Sequence, residues 1–156
     1  MERNKLLKEI KCLVADLGNR QITFEKVASL IRESGKHRWV GLYAVDHWSG
    51  VVRIIAWNGP AAPEFPTFPI GKGLTGAAVT SRKTVNVGNV AGDPRYLTAF
   101  GTTKSEVIVP IFDHLREKVI ATIDVESEQQ NAFDSQTQRE LEDCAELLRP
   151  LWPAEP

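Results

Sequence analysis

Apolar residues recur along the chain with two different periods, and the change of period divides it into elements. Residues 3–17 place Leu6, Leu7, Ile10, Leu13, Val14 and Leu17 on one helical stripe, and Gly18-Asn19 stops that helix. A second helix is expected from Thr23, as its N-cap, to Ser34, with Phe24, Val27, Ala28 and Ile31 at helical spacing and Gly35 as the stop. The pattern then becomes extended. Arg38–Val45 reads as a strand, residues 46–50 as its turn and Val51–Trp57 as the returning strand. Residues 58–69 read as a loop carrying Pro60, Pro63, Pro66 and Pro69, and Ile70–Ser81 as a loop entering a short helix. Thr84–Val87 is a short strand and 88–103 a long irregular connection. Two strands, Glu106–Phe112 and Lys118–Ser127, flank a polar turn at 113–117. The last helix starts at Asp134 or Ser135, where Ser135-x-x-Gln138 resembles a capping box, and ends before Pro150.

Strands clustered between terminal helices predict an α+β fold, with one antiparallel sheet and the N- and C-terminal helices packed on one of its faces. The segments 58–81 and 88–103 exceed the usual connection length and are expected to act as lids or walls. Neither a repeat nor a linker interrupts the 156 residues, which suits a single domain.

Strand alternation sorts the chemistry. Trp39, Gly41 and Tyr43 share a face, opposite Val40, Leu42 and Ala44. Thr122, Asp124 and Glu126 oppose Ala121, Ile123 and Val125, and Glu106 lies with Ile108 and Pro110, opposite Val107, Val109 and Ile111. One sheet face therefore gathers two aromatics, three carboxylates and a glycine that leaves room between them. With the long loops closed over it, that face becomes a cup suited to a cationic amine. The same residues equally suit the solvated face of an open antiparallel sheet. Acids so crowded repel one another, so without a cationic ligand at least one pKa is expected to rise.

Charge and composition narrow the function. Nineteen basic against twenty acidic residues give a net charge of −1, which offers no field for nucleic acid or anionic lipid. No apolar run reaches the roughly 20 residues that span a bilayer, the opening residues lack a signal peptide's apolar stretch, and the expected compartment is the cytoplasm. Two cysteines make neither a disulfide framework nor a four-cysteine zinc site. Cys144 falls in the stripe of Leu141, Ala145, Leu147, Leu148, Leu151 and Trp152 and is expected to be buried. Cys12 falls off its helix's stripe and is expected to be exposed or covered by a partner chain. His37, His47 and His114 lie in separate segments and read as surface histidines, not metal ligands. Gly71-Lys-Gly-Leu-Thr-Gly76 matches GxGxxG, but a proline-rich loop precedes it instead of a buried strand. Its glycines are expected to allow positive φ and close packing at a helix entrance.

Several stretches, in order, carry a resemblance: Trp39-Val-Gly-Leu-Tyr43, Asn58-Gly-Pro60, Ile70-Gly-Lys-Gly-Leu-Thr-Gly-Ala-Ala78, Lys104-Ser-Glu-Val-Ile-Val-Pro-Ile111, Ile123-Asp-Val-Glu-Ser127 and the Phe133-Asp helix entry. The chain resembles a GAF domain and is similar, within that superfamily, to the free methionine-(R)-sulfoxide reductases. The resemblance implies one GAF domain over 1–156, with a core at about 20–148 preceded by a helix at 1–19. It implies a ligand cup on the face away from the terminal helices, and a homodimer through those helices. The family's aromatic and acidic site residues match Trp39, Tyr43, Glu106, Asp124 and Glu126, the last being a glutamate where the family usually has aspartate. The reductases carry cysteines in the glycine-rich loop and before the Ser-Glu strand, whereas neither 71–76 nor 88–104 contains one here. Thr75, with no paired base apparent, cannot replace a redox thiol.

The resulting expectation is a sensor-type domain that holds an amine-bearing molecule, such as a free amino acid or derivative, without catalysis and without cofactor or metal. Trp39, Tyr43, Glu106, Asp124 and Glu126 would bind it, and Gly71, Gly73, Thr75 and Gly76 would shape the rim. Alternatives are a divergent reductase using an unexpected thiol, or a dimeric interaction module with a vestigial cup. A cyclic nucleotide is disfavoured by three carboxylates facing a phosphate. Any signalling role is expected to need a separate partner.

Overall fold

A computed structural model describes residues 2–16, 18–97 and 100–152; Leu17 of the first stripe and positions 98 and 99 of the long connection lie outside the described residues. Helix α1 (Arg3–Ala15) buries Leu6 and Ile10. Helix α2 (Arg20–Gly35) begins a turn earlier than expected, because the Asn19 side chain accepts the Ile22 backbone N–H at 3.2 Å and is the N-cap. Thr23 instead lies inside the first turn, its hydroxyl donating to the Asn19 carbonyl at 3.2 Å. The stop also differs. Gly35 is the last helical residue, and Lys36 takes the left-handed conformation at φ 54°. Gly35 is required for space rather than handedness, since a Cβ there would fall on the His37 ring.

Six strands follow: β1 (Trp39–Asp46), β2 (Val51–Asn58), β3 (Thr67–Pro69), β4 (Val85–Val87), β5 (Ser105–Phe112) and β6 (Val119–Ser127). They form one antiparallel sheet in the order β3-β2-β1-β6-β5-β4. Strand β3 lies in what reads from sequence as loop. It is a three-residue edge strand ending on a proline, where a missing N–H costs no ladder bond. Helix α3 (Gly73–Ser81) sits between β3 and β4, and α4 (Ser135–Leu148) closes the chain with a 3₁₀ turn at Arg149–Leu151. Asp134 is the N-cap of α4, accepting the Thr137 N–H at 2.8 Å, so Ser135 makes no capping box. Gln138 turns away to Asn86 and Glu142.

Helices α1, α2 and α4 cover one sheet face. Val40, Leu42, Val107, Ile111, Ile123 and Val125 point into them, each under 1% exposed. These are the residues that alternation assigns to the helical side, and their burial is the main stabilising term. Cys144 is fully buried there, its thiol pushed up to about 12 by burial, and Cys12 is exposed. His37 is half-buried rather than fully exposed. It packs on Phe133 at 5.8 Å between centroids, and burial lowers its pKa to about 4. No described helix is long and apolar enough to cross a membrane, and no group of three metal-ligating side chains occurs among the described residues.

Because Asn19 supplies the only side-chain cap of α2, Asn19→Ala is expected to lower stability by about 1 kcal/mol, read as a reduced urea midpoint with an unchanged m-value.

Candidate functional site

On the face away from the helices, pairing register aligns three rows across β1, β6 and β5. Trp39 faces Glu126, which faces Glu106; Gly41 faces Asp124, which faces Ile108; Tyr43 faces Thr122, which faces Pro110. Directly opposed side chains have Cβ atoms roughly 5 Å apart. The five residues picked out by alternation therefore converge, and none is solvated: Glu106 is 8% exposed, Asp124 and Glu126 3% each. Burial excludes the reading of this face as an open, wetted sheet surface.

The aromatic wall is built around two glycines. A Cβ at Gly41 or at Gly59 would collide with the Trp39 indole, so the ring lies against both backbones. The room that Gly41 leaves is thus taken by Trp39 itself. The indole Nε1 donates to the Ala61 carbonyl at 3.0 Å, tying the ring to the loop after β2. Tyr43 lies 6.4 Å from Trp39, with Phe68 edge-on to it at 5.6 Å, and Phe100 packs on Trp39 at 5.5 Å.

Helix α3 and the long connections form the roof. Thr75 Oγ1 donates to Asp124 Oδ2 at 2.5 Å, and Thr122 Oγ1 donates to Asp124 Oδ1 at 2.6 Å. Thr75 therefore does have an acidic partner, which its sequence neighbours do not reveal. Thr103 Oγ1 donates to Glu126 Oε1 at 2.8 Å. Gly73, left-handed at φ 70°, lines the hollow with Leu74 and Thr75. Gly71 and Gly76 do not line it. They pack on each other, a Cβ at Gly76 falling on the Gly71 backbone, and so set the bend that aims α3 at the sheet. Phe65, Phe68 and Leu97 complete the lining. Phe65 and Leu97 come from irregular segments with no periodicity to mark them, and Phe68 comes from the short edge strand β3. What remains is a cavity of about 30 Å³, with a second of about 20 Å³ behind Trp39 and Glu126 beside Arg38. Spaces of that size hold water but no larger molecule.

No lysine or arginine lines the main cavity among the described residues, and the carboxyls respond. Burial pushes Asp124 up to about 7 against the opposing hydrogen bonds from Thr122 and Thr75. Burial likewise raises Glu126 to about 7; Asp124 adds to the rise, while Thr103 and Arg38 oppose it. Glu106 is raised well above the usual range by burial and by the charges of Glu126 and Asp124. Burial and the same three acids drive the Tyr43 phenol up as well.

No family model matches the chain. It is similar to GAF domain-containing protein A of Dictyostelium discoideum, 28% identical over 143 residues, or 92% of this chain and 87% of that protein. It is also similar to the free methionine-R-sulfoxide reductase of Saccharomyces cerevisiae, 30% identical over 111 residues, or 70% of this chain and 60% of that one. Among solved structures, the free methionine-R-sulfoxide reductase of Neisseria meningitidis in complex with its substrate superposes with a TM-score of 0.87. It is 28% identical and matches over 96% of this chain and 87% of that chain. The chain has the GAF-like α+β fold.

A carboxyl raised from its ordinary 3.8 to about 7 binds its proton more tightly folded than unfolded. The stability it contributes is present below about pH 4 and is lost as pH rises through about 7. His37, lowered from 6.5 to about 4, works in the opposite direction over the acidic part of that range. The comparison with Asp124→Asn isolates the acid. Between about pH 5 and pH 8, the melting temperature of the native protein is expected to fall relative to that of the variant.

Proposed function

We propose that this GAF-fold protein binds a small amine-bearing molecule, such as a free amino acid or a derivative of one, without transforming it. One observation carries the reading: Glu106, Asp124 and Glu126 are buried together in a hollow that no lysine or arginine lines among the described residues. Buried acids left without a cation are costly, and a ligand ammonium removes that cost through charge-assisted hydrogen bonds. Trp39 and Tyr43 supply ring faces beside the acids, which also favour a cation. The first turn of α3, at Gly73–Thr75, lines the same hollow and has no side-chain cap, so its N–H groups suit the carboxylate end of an amino acid. The similarity to free methionine-R-sulfoxide reductases supports a ligand of that class.

Catalysis is not proposed. Reducing a sulfoxide in this cup would take a thiolate that attacks sulfur. The chain's cysteines, Cys12 and Cys144, lie on α1 and α4 across the sheet, and the Cys144 thiol is held up at about 12 by burial. Thr75, though bonded to Asp124, offers no sulfur chemistry. The terminal helices, whose Leu7, Leu13 and Leu147 remain partly exposed, are proposed to pair two copies of the chain in the cytoplasm.

The cavity of about 30 Å³ favours a second reading, an interaction module whose cup is filled by its own side chains. Under the binding reading, Phe65, Leu97 and Phe100 must instead swing aside on their connections to admit the ligand. Titration calorimetry with L-methionine, its R-sulfoxide and other free amino acids separates the two. Saturable heat from one of them, lost in Asp124→Ala, is the expected outcome, and silence from all of them favours the module. Thiol-dependent consumption of methionine-R-sulfoxide, abolished by Cys12→Ser or Cys144→Ser, would overturn the non-catalytic part.

A further inference from the structure

We infer that the cup takes its amine in exchange for protons: the empty Glu106–Glu126 pair holds a proton that is released to solvent when an ammonium enters. The inference rests on the binding reading and adds how that binding is regulated. It stands on the placement of donors. Glu106 and Glu126 are directly opposed across β5 and β6, and Asp124 lies on the same face one row along. Like charges at such a position repel, and burial removes the water that would screen them.

Hydrogen bonds then divide the three acids. Both Asp124 oxygens accept hydroxyl donors, from Thr75 and Thr122, and one Glu126 oxygen accepts from Thr103. Those bonds favour the ionised forms. Glu106, 8% exposed and lining the hollow, has no hydrogen-bond partner among the described residues, so nothing offsets the cost of ionising it. The other titratable or charged groups nearby do not supply the missing cation. Tyr43 on β1 is a phenol that burial keeps neutral, and α3 contributes only Thr75. Arg38, ahead of β1, acts on Glu126 from the neighbouring small cavity and is ion-paired with Glu128. Burial raises all three acids, consistent with a proton retained near neutrality.

An arriving ammonium keeps its own proton and its charge. Its field stabilises the carboxylates, and the carboxyl O–H of the pair gives its proton to the buffer, with no electron transfer. Affinity should then improve by about tenfold per pH unit for each proton released, while the pair is still protonated, and level off once the pair is ionised.

The test is calorimetry with methionine-R-sulfoxide and L-methionine as probes at about pH 6.5, in phosphate and in Tris, whose ionisation enthalpies differ. About one proton released per ligand is expected, with Kd about tenfold lower at pH 6.5 than at pH 5.5. Glu106→Gln, which preserves shape and removes the ionisable group, should bind with fewer protons released and a flatter pH profile. Binding whose heat is independent of buffer and whose affinity is flat with pH overturns this inference alone, as does an undiminished proton count in Glu106→Gln. No binding by either probe overturns the binding reading for this ligand class and this inference with it.

Discussion

The opposition of Glu106 and Glu126 across β5 and β6, with Asp124 on the same buried face, is the constraint around which the non-helical half of the molecule is arranged. A sheet built for stability alone would not set two glutamates opposite each other and then exclude water. The surrounding parts reduce the cost. Thr75 is carried in on α3, Thr122 stands beside Asp124 on β6, and Thr103 reaches Glu126 from the long connection. Each gives a hydroxyl hydrogen to a carboxylate, so the roof is held to the floor by the acids it covers. Glu106 receives no such bond among the described residues, which leaves the buried face electrostatically unbalanced.

That imbalance is supported by the other side of the same sheet. Its apolar face, closed by α1, α2 and α4, removes the large aliphatic side chains of β1, β5 and β6 from water. Burial of this kind is worth about 1.5–3 kcal/mol per large side chain, which offsets the cost of burying the three acids. Because consecutive residues of a strand point to opposite faces, each strand serves both purposes with alternate positions. Val125 is core and Glu126 lines the hollow; Val107 is core and Glu106 lines the hollow. The cup and the core are therefore mechanically continuous, and a change of register in β6 would destroy both.

Trp39 shows how closely shape and chemistry are joined. Its ring occupies the space over two glycines, fixes the loop after β2 through Ala61, and separates the two small cavities. Two aromatic contacts hold it, one from its own strand and one from the segment that closes the cup.

Local periodicity was enough to assign the faces of β1, β5 and β6, the burial of Cys144, the α+β class and the placement of Trp39, Tyr43, Glu106, Asp124 and Glu126 on one face, because alternation and helical phase are properties of adjacent positions. It failed where a competing side chain nearby, or a neighbour distant in sequence, decides the outcome. Asn19 outcompetes Thr23 as a cap, Lys36 takes the left-handed position, and Gly35 is needed for space against the His37 ring. Strand β3 exists only because β2 offers it an edge. The resemblance located the glycine-rich segment, but only the folded chain shows that Gly71 and Gly76 bend it while Gly73 and Thr75 face the hollow. Tertiary structure alone settled whether the acidic face is wet or dry, since the covering residues come from loops, the short strand β3 and the first turn of α3, which share no repeating pattern. The desolvation that follows depends on every atom around a carboxyl, and no single stretch of sequence contains them all.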